Sequence, residues 1–195
     1  MTADYVRDAR HTAVEADHAI VVHPGITSPP NILDTFCVHH ANRGVDVWEL
    51  DARFSPEGWA KGVADMGTHV AQSARLPVFI VGSVRSAGVI CRALETSDGF
   101  FGAVLIGNAS PPLLSEQLAQ SLGPNTKPVL CVIGDAGARS GLTEARSGAG
   151  PVEVQTHPED VNRLMLTNPA AFSDAVLEWC LRQLSNHLNP TWRFK

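Results

Sequence analysis

The stretch LPVFIVGSVRSAGVICRAL, residues 76–94, decides how the rest of the chain is read. It opens with an unbroken apolar run, Val78–Val81, passes through a Gly-Ser turn, and continues as a helical pattern over Ala87–Glu95. A continuous apolar run suits a parallel strand covered on both faces, whereas a half-solvated strand would alternate. Further strand candidates lie on either side at Ala19–Val22, Val45–Leu50, Ala103–Ile106, Val129–Ile133 and Val152–Gln155. Helix candidates fall between them at Ile32–Asn42, Glu57–Ser73 and Leu113–Leu122. A last helix starts at Pro169, where Asn168 can cap and proline suits the first turn. It carries Phe172, Val176, Trp179 and Cys180 at helical spacing. Strand and helix alternating this often predict an α/β fold, a doubly wound and mostly parallel sheet of about six strands with helices on both faces.

The 195 residues fit a single domain spanning 1–195, with a polar leading segment over 1–17 and a tail over 189–195. Fifteen basic residues against 20 acidic ones give a charge of −5, which argues against nucleic-acid binding. No apolar run approaches the roughly 20 residues of a membrane span, and the first 18 residues lack the apolar core of a signal peptide. The expected compartment is therefore the cytoplasm. Cys37, Cys91, Cys131 and Cys180 stand at least 40 residues apart inside apolar runs, so they read as small core residues, not as redox or zinc pairs.

In doubly wound sheets function gathers where strands end. The segments to weigh are HPG at 23–25, DAR at 51–53, GSVRSAG at 82–88, GNAS at 107–110, GDAG at 134–137 and THPED at 156–160. A nucleotide cradle needs glycines at fixed spacing or a lysine after them. HPGITSPP instead has two prolines, which remove backbone donors, and GSVRSAG has neither the spacing nor a lysine. No cofactor is expected. His39-His40 has no third ligand nearby in sequence, and no metal is expected either. Gly134–Gly150 is a Gly/Ala/Ser-rich patch that reads as a loop.

The order of these segments resembles the α/β-hydrolase superfamily, over roughly Ala19 to Leu184. AIVVHPG is similar to the strand and His-Gly turn that build half of an oxyanion hole, and RGVDVWELDAR to the strand that follows. LPVFIVGSVRSAGVICRAL is similar to the strand, nucleophile elbow and helix. FFGAVLIGNAS, KPVLCVIGD and LMLTNPAAFSDAVLEWCLRQL follow in register. The resemblance implies a minimal, uncapped member, because 108–127 leaves room only for a crossover helix. It also implies a degenerate triad. The nucleophile position of G-x-S-x-G falls on Val84, the acid position on Gly137 and the histidine position on Asn162. Valine cannot attack a carbonyl, and its branched Cβ disfavours a strained turn.

A shifted triad is available in the same chain order: Ser86 as nucleophile, Asp135 as orienter and His157 as base. Donors for an oxyanion would come from the Pro24–Gly25 turn and from Ala87. His23, Gly25, Ser83, Val84, Arg85 and Ala87 are the expected substrate-binding residues, with Arg85 placed to hold a carboxylate or enolate. Three functions stay open. One is an enzyme acting on a small-molecule or carrier-bound ester or thioester, and one a non-covalent lyase- or cyclase-type catalyst using His157 and Arg85. The third is a ligand- or partner-binding protein without a triad. An uncapped site and the apolar tail Trp192–Phe194 are compatible with a homodimer.

Overall fold

The computed structural model describes residues 16–23, 30–50, 59–108, 120–122, 126–134 and 152–188. Six strands form one sheet: β1 (His18–Val22), β2 (Val45–Glu49), β3 (Val78–Ser83), β4 (Gly102–Asn108), β5 (Val129–Gly134) and β6 (Val152–His157). Their order is β2-β1-β3-β4-β5-β6, and every neighbouring pair is parallel. The helices are α1 (Pro30–Ala41), α2 (Trp59–Ala74), α3 (Ala87–Thr96), α4 (Val161–Thr167) and α5 (Pro169–Leu188). A 3-10 turn, Val84–Ser86, joins β3 to α3. No helix among the described residues is long and apolar enough to cross a membrane.

The apolar runs become strands buried on both faces. β1, β3 and β5 are buried along their whole length, whereas β6 at the edge is half-buried throughout. Alternation along each strand divides the core into two layers. Ala19, Val21, Ile80, Leu105 and Cys131 pack with Val63, Met66, Ile90 and Leu94 on the α2–α3 face. Ile20, Val22, Phe79, Val81, Val104 and Val132 pack with Phe36, Phe172, Val176 and Trp179 on the α1–α4–α5 face. None of the four cysteines is in a disulfide, and all are buried in these layers. Burial pushes the Cys91 and Cys131 thiols up to about 12 and Cys180 higher still.

Two details differ from the sequence reading. A separate short helix, α4, precedes α5, and its cap is Asp160, whose carboxylate accepts from the Arg163 N–H at 3.0 Å. β6 also runs to His157, two residues beyond Gln155, where the strand was expected to end. The expected start of α5 holds, with the Asn168 side chain accepting from the Ala171 N–H at 3.3 Å. Of the helix expected over 113–122, 120–122 is helical and the remainder lies outside the described residues.

Candidate functional site

The chain leaves β1 toward β2 on one side and returns past β1 to β3 on the other, so the direction of winding reverses between β1 and β3. A crevice opens at such a reversal, outside the carboxyl ends of the two strands. Gly82 lies there for a steric reason. A Cβ at Gly82 would come within 2.4 Å of Ile90 Cδ1 on α3 and 3.4 Å of the His23 Cβ. The next residue, Ser83, has its hydroxyl committed, because Oγ accepts from the Arg85 N–H at 3.2 Å and caps the 3-10 turn.

Val84 is 4% exposed and packs into the α2–α3 layer. Its Cγ2 lies 2.7 Å from where a Cβ on Gly107 of β4 would stand, so the two residues share one space. Among the described non-glycine residues only Arg75 has a positive φ, at 57°. The turn after β3 thus avoids the left-handed backbone that a branched side chain would resist.

Ser86 sits at φ −94°, ψ 6°, the sparsely allowed bridge region, and precedes the first residue of α3. Its side chain is buried, makes no capping hydrogen bond, and has no hydrogen bond to another described residue. The Ala87 N–H, expected as an oxyanion donor, instead donates to the Val84 carbonyl inside the turn. A Cβ on Gly88 would meet Ser121 Oγ at 3.7 Å, an ordinary contact. Arg85 is exposed.

His23 follows β1 and is 3% exposed, with its N–H donating to the Val81 carbonyl at 2.8 Å. Burial lowers its pKa below the ordinary 6.5, which keeps the ring neutral. His157 closes β6 opposite Gly134 of β5. Its ring lines a small cavity of about 100 Å³ with Val132, Leu164 and Phe172, on the α4–α5 face. β3 and β6 are three strand spacings apart, about 14 Å, and Ser86 starts a helix on the other face. The structure brings His23, Gly82, Ser83 and the turn together, and leaves His157 apart from them. Gly25, Asp135 and Gly137 lie outside the described residues, whereas Asn162 is half-buried in α4.

No protein-family model matches the sequence, and no curated protein does. Solved structures do. An esterase from Exiguobacterium antarcticum superposes with a TM-score of 0.61 at 12% identity, over 85% of this chain and 92% of its own. A CIB-like hydrolase from Thermoplasma acidophilum gives 0.61 at 15% identity, over 87% and 88%. A bromoperoxidase from Bacillus anthracis gives 0.60 at 12%, over 85% and 92%. The chain has the α/β-hydrolase fold.

Within that fold, the sequence reading missed a latch joining three strand ends. Asn108, the last residue of β4, donates from Nδ2 to Asp160 Oδ2 at 2.6 Å and accepts at Oδ1 from the Val161 N–H at 2.9 Å. A Cβ on Gly134, at the end of β5, would lie 2.3 Å from Asn108 Oδ1, so only glycine lets the amide lie across it. The Arg163 N–H and the Asn108 amide hold the Asp160 carboxyl below the usual carboxylate range. The sequence signal was present as GN at 107–108 and HPED at 157–160, but nothing local says that residues 52 apart should meet.

A second feature lies away from the hydrolase fold's usual site. A cavity of about 760 Å³ opens at the amino edge of the sheet, lined by Leu76–Val78, Asp98–Phe101 and Lys127 among others. It faces away from the crevice between His23 and Ser83. Near the winding reversal stand a buried serine hydroxyl at a helix start, Ser86, and an exposed guanidinium, Arg85. These can hold an oxyanion or a carboxylate through charge-assisted hydrogen bonds.

Proposed function

We propose that this chain binds a carbonyl- or carboxylate-bearing small molecule at the carboxyl edge above β3, and that it works there without a serine nucleophile in the strand-to-helix turn. The observation carrying this reading is Val84. Its side chain is built into the core against Gly107, and its backbone is not in the strained conformation that presents a nucleophile. The reversal of winding between β1 and β3 supports the location, and Arg85 beside the start of α3 supports an anionic oxygen as the recognised group. His23 is held neutral by burial, so it adds no second cation beside Arg85. The ligand is an acyl compound, free or carrier-bound.

One observation favours a second reading, in which Ser86 is an acyl-transfer nucleophile. The Ser86 hydroxyl is not spent on capping α3 and sits on bridge-region backbone, where many active-site residues are found.

One experiment separates the two. The folded protein is incubated with a fluorophosphonate and its intact mass and peptide map are recorded, alongside thermal shifts against short carboxylates and their thioesters. The first reading expects no adduct on Ser83 or Ser86, and a ligand shift that Arg85→Gln removes. An adduct on Ser86 that Ser86→Ala abolishes overturns the first reading and establishes the second. Neither adduct nor shift overturns both.

A further inference from the structure

At the amino ends of β1 and β2, on the α1–α5 face, two histidines stand inside an apolar layer. His18 begins β1 opposite Val45 of β2, and His40 lies in the last turn of α1, just before that strand. Both are 1% exposed. The His18 ring meets Phe79 edge-on at 5.7 Å, and neither of its nitrogens has a hydrogen-bond partner among the described residues. His40 packs on Phe36 at 4.1 Å and lies 3.0 Å from the Phe36 carbonyl through Nδ1. A carbonyl only accepts, so Nδ1 carries the proton and the unpartnered Nε2 is left as the acceptor.

The same two phenylalanines reach α5. Phe79 touches Trp179 at 5.8 Å and Phe36 touches Phe172 at 6.2 Å. Beside these contacts, Ser173 Oγ and Trp179 Nε1 are also buried without a partner among the described residues. Three imidazole nitrogens, a hydroxyl and an indole N–H are thus enclosed in one layer. Neutral rings tolerate that enclosure at moderate cost, and a protonated ring does not.

Among the described residues, the titratable and charged groups facing the pair are few. Asp17 adjoins His18, while His18, His39 and Asp174 act on His40. Asp174 is engaged by Arg43, whose guanidinium lies 3.0 and 3.2 Å from its two oxygens and ties the end of α1 to α5 from outside. Burial outweighs both acids and lowers His18 and His40 to about 4.

We propose that His18 and His40 form an acid-sensitive catch, which holds α1 and α5 against β1 while both rings are neutral and releases that layer when they take protons. An unfolded histidine gains its proton near pH 6.5, and these two gain theirs in the folded protein near 4. Above pH 6.5 neither state is protonated and the catch contributes nothing to pH dependence. As pH falls from 6.5 to 4 the released form is favoured, by about 300-fold in the opening equilibrium for each histidine, and the effect then levels off.

The test is hydrogen exchange by mass spectrometry on the full chain at pH 7 and pH 5, corrected for the intrinsic rate. Amides of 30–41 and 169–188 are expected to lose protection by about 20-fold for each histidine released, while β3, β4 and β5 keep theirs. His18→Leu with His40→Asn, which keeps a donor toward the Phe36 carbonyl, is expected to abolish that loss. Uniform loss across the chain, or loss unchanged in the double variant, overturns the catch. If the variant does not fold, proton NMR titration of the wild type decides. His18 and His40 signals that stay fixed from pH 8 to 5.5 support the proposal, and signals that titrate near 6.5 overturn it.

Discussion

Gly107→Ala and Val84→Ala should each destabilise the protein, and together they should cost much less than their sum. A Cβ on Gly107 would stand 2.7 Å from Val84 Cγ2, roughly 1 Å inside normal carbon contact. The added methyl must therefore push β4 and the 3-10 turn apart, which overpacking data place at about 1–3 kcal/mol. Val84→Ala removes two carbons from a buried site, costing about 1.5–2.5 kcal/mol with the cavity included. Once Cγ2 is gone, the next atoms met by the new Cβ are Val84 Cβ and N, both at 3.7 Å, an ordinary contact. The clash vanishes and the new methyl fills part of the hole. The double variant should then be no less stable than Val84→Ala alone, giving a coupling of about 1–3 kcal/mol. Urea unfolding of the four proteins by circular dichroism reads this directly, and Gly107→Ala should lower Tm by about 4–8 °C for a cost near 2 kcal/mol. Additivity within about 0.5 kcal/mol would refute the claim that Val84 and Gly107 share one space. With it would fall the reading of Val84 as a packing residue.

Asn108→Ala should cost about 1–2 kcal/mol, because it removes two hydrogen bonds and leaves the Val161 N–H without its acceptor. The thermal midpoint measures it, and a change below about 0.3 kcal/mol would show that the latch holds nothing. The thiols give a further check. With Cys37, Cys91, Cys131 and Cys180 all buried, and burial pushing Cys91 and Cys131 up to about 12, Ellman's reagent at pH 8 should find no reactive thiol in the folded protein and four after denaturation. A thiol reacting rapidly in the native state would contradict the packing of its layer.

The fold was legible because what specifies it is local and repeated. Each of Ala19–Val22, Val78–Val81 and Val129–Ile133 is too apolar to face water on either side, and a chain offering such runs between helices can bury them all only in a covered parallel sheet. The boundary at Asn168–Pro169 was equally readable, since cap and first-turn chemistry act within one turn.

The site is a different kind of problem. Ser86, Asp135 and His157 stand in the right chain order, but chain order does not say which face of the sheet a side chain takes. Period-two alternation along β6 sends Val152 and Val154 to the α2–α3 layer. His157, an odd number of residues from Val154, therefore turns to the α4–α5 face beside Phe172, away from the face on which α3 begins. That argument could have been made from the sequence, had the last residue of β6 been fixed at 157. The strand was expected to end at Gln155, and two residues of extra pairing convert a loop histidine, free to swing over the sheet edge, into a strand histidine whose direction the pleat dictates. The same reasoning bears on Val84. Its neighbours in sequence resemble an elbow, but its partner is Gly107, one strand over, and a valine with a glycine cut to receive it is committed to the core. A nucleophile at this position would need the opposite arrangement, with its side chain turned outward and not in against Gly107. Any recovery of covalent chemistry here must therefore start from Ser86, whose hydroxyl the turn leaves unspent.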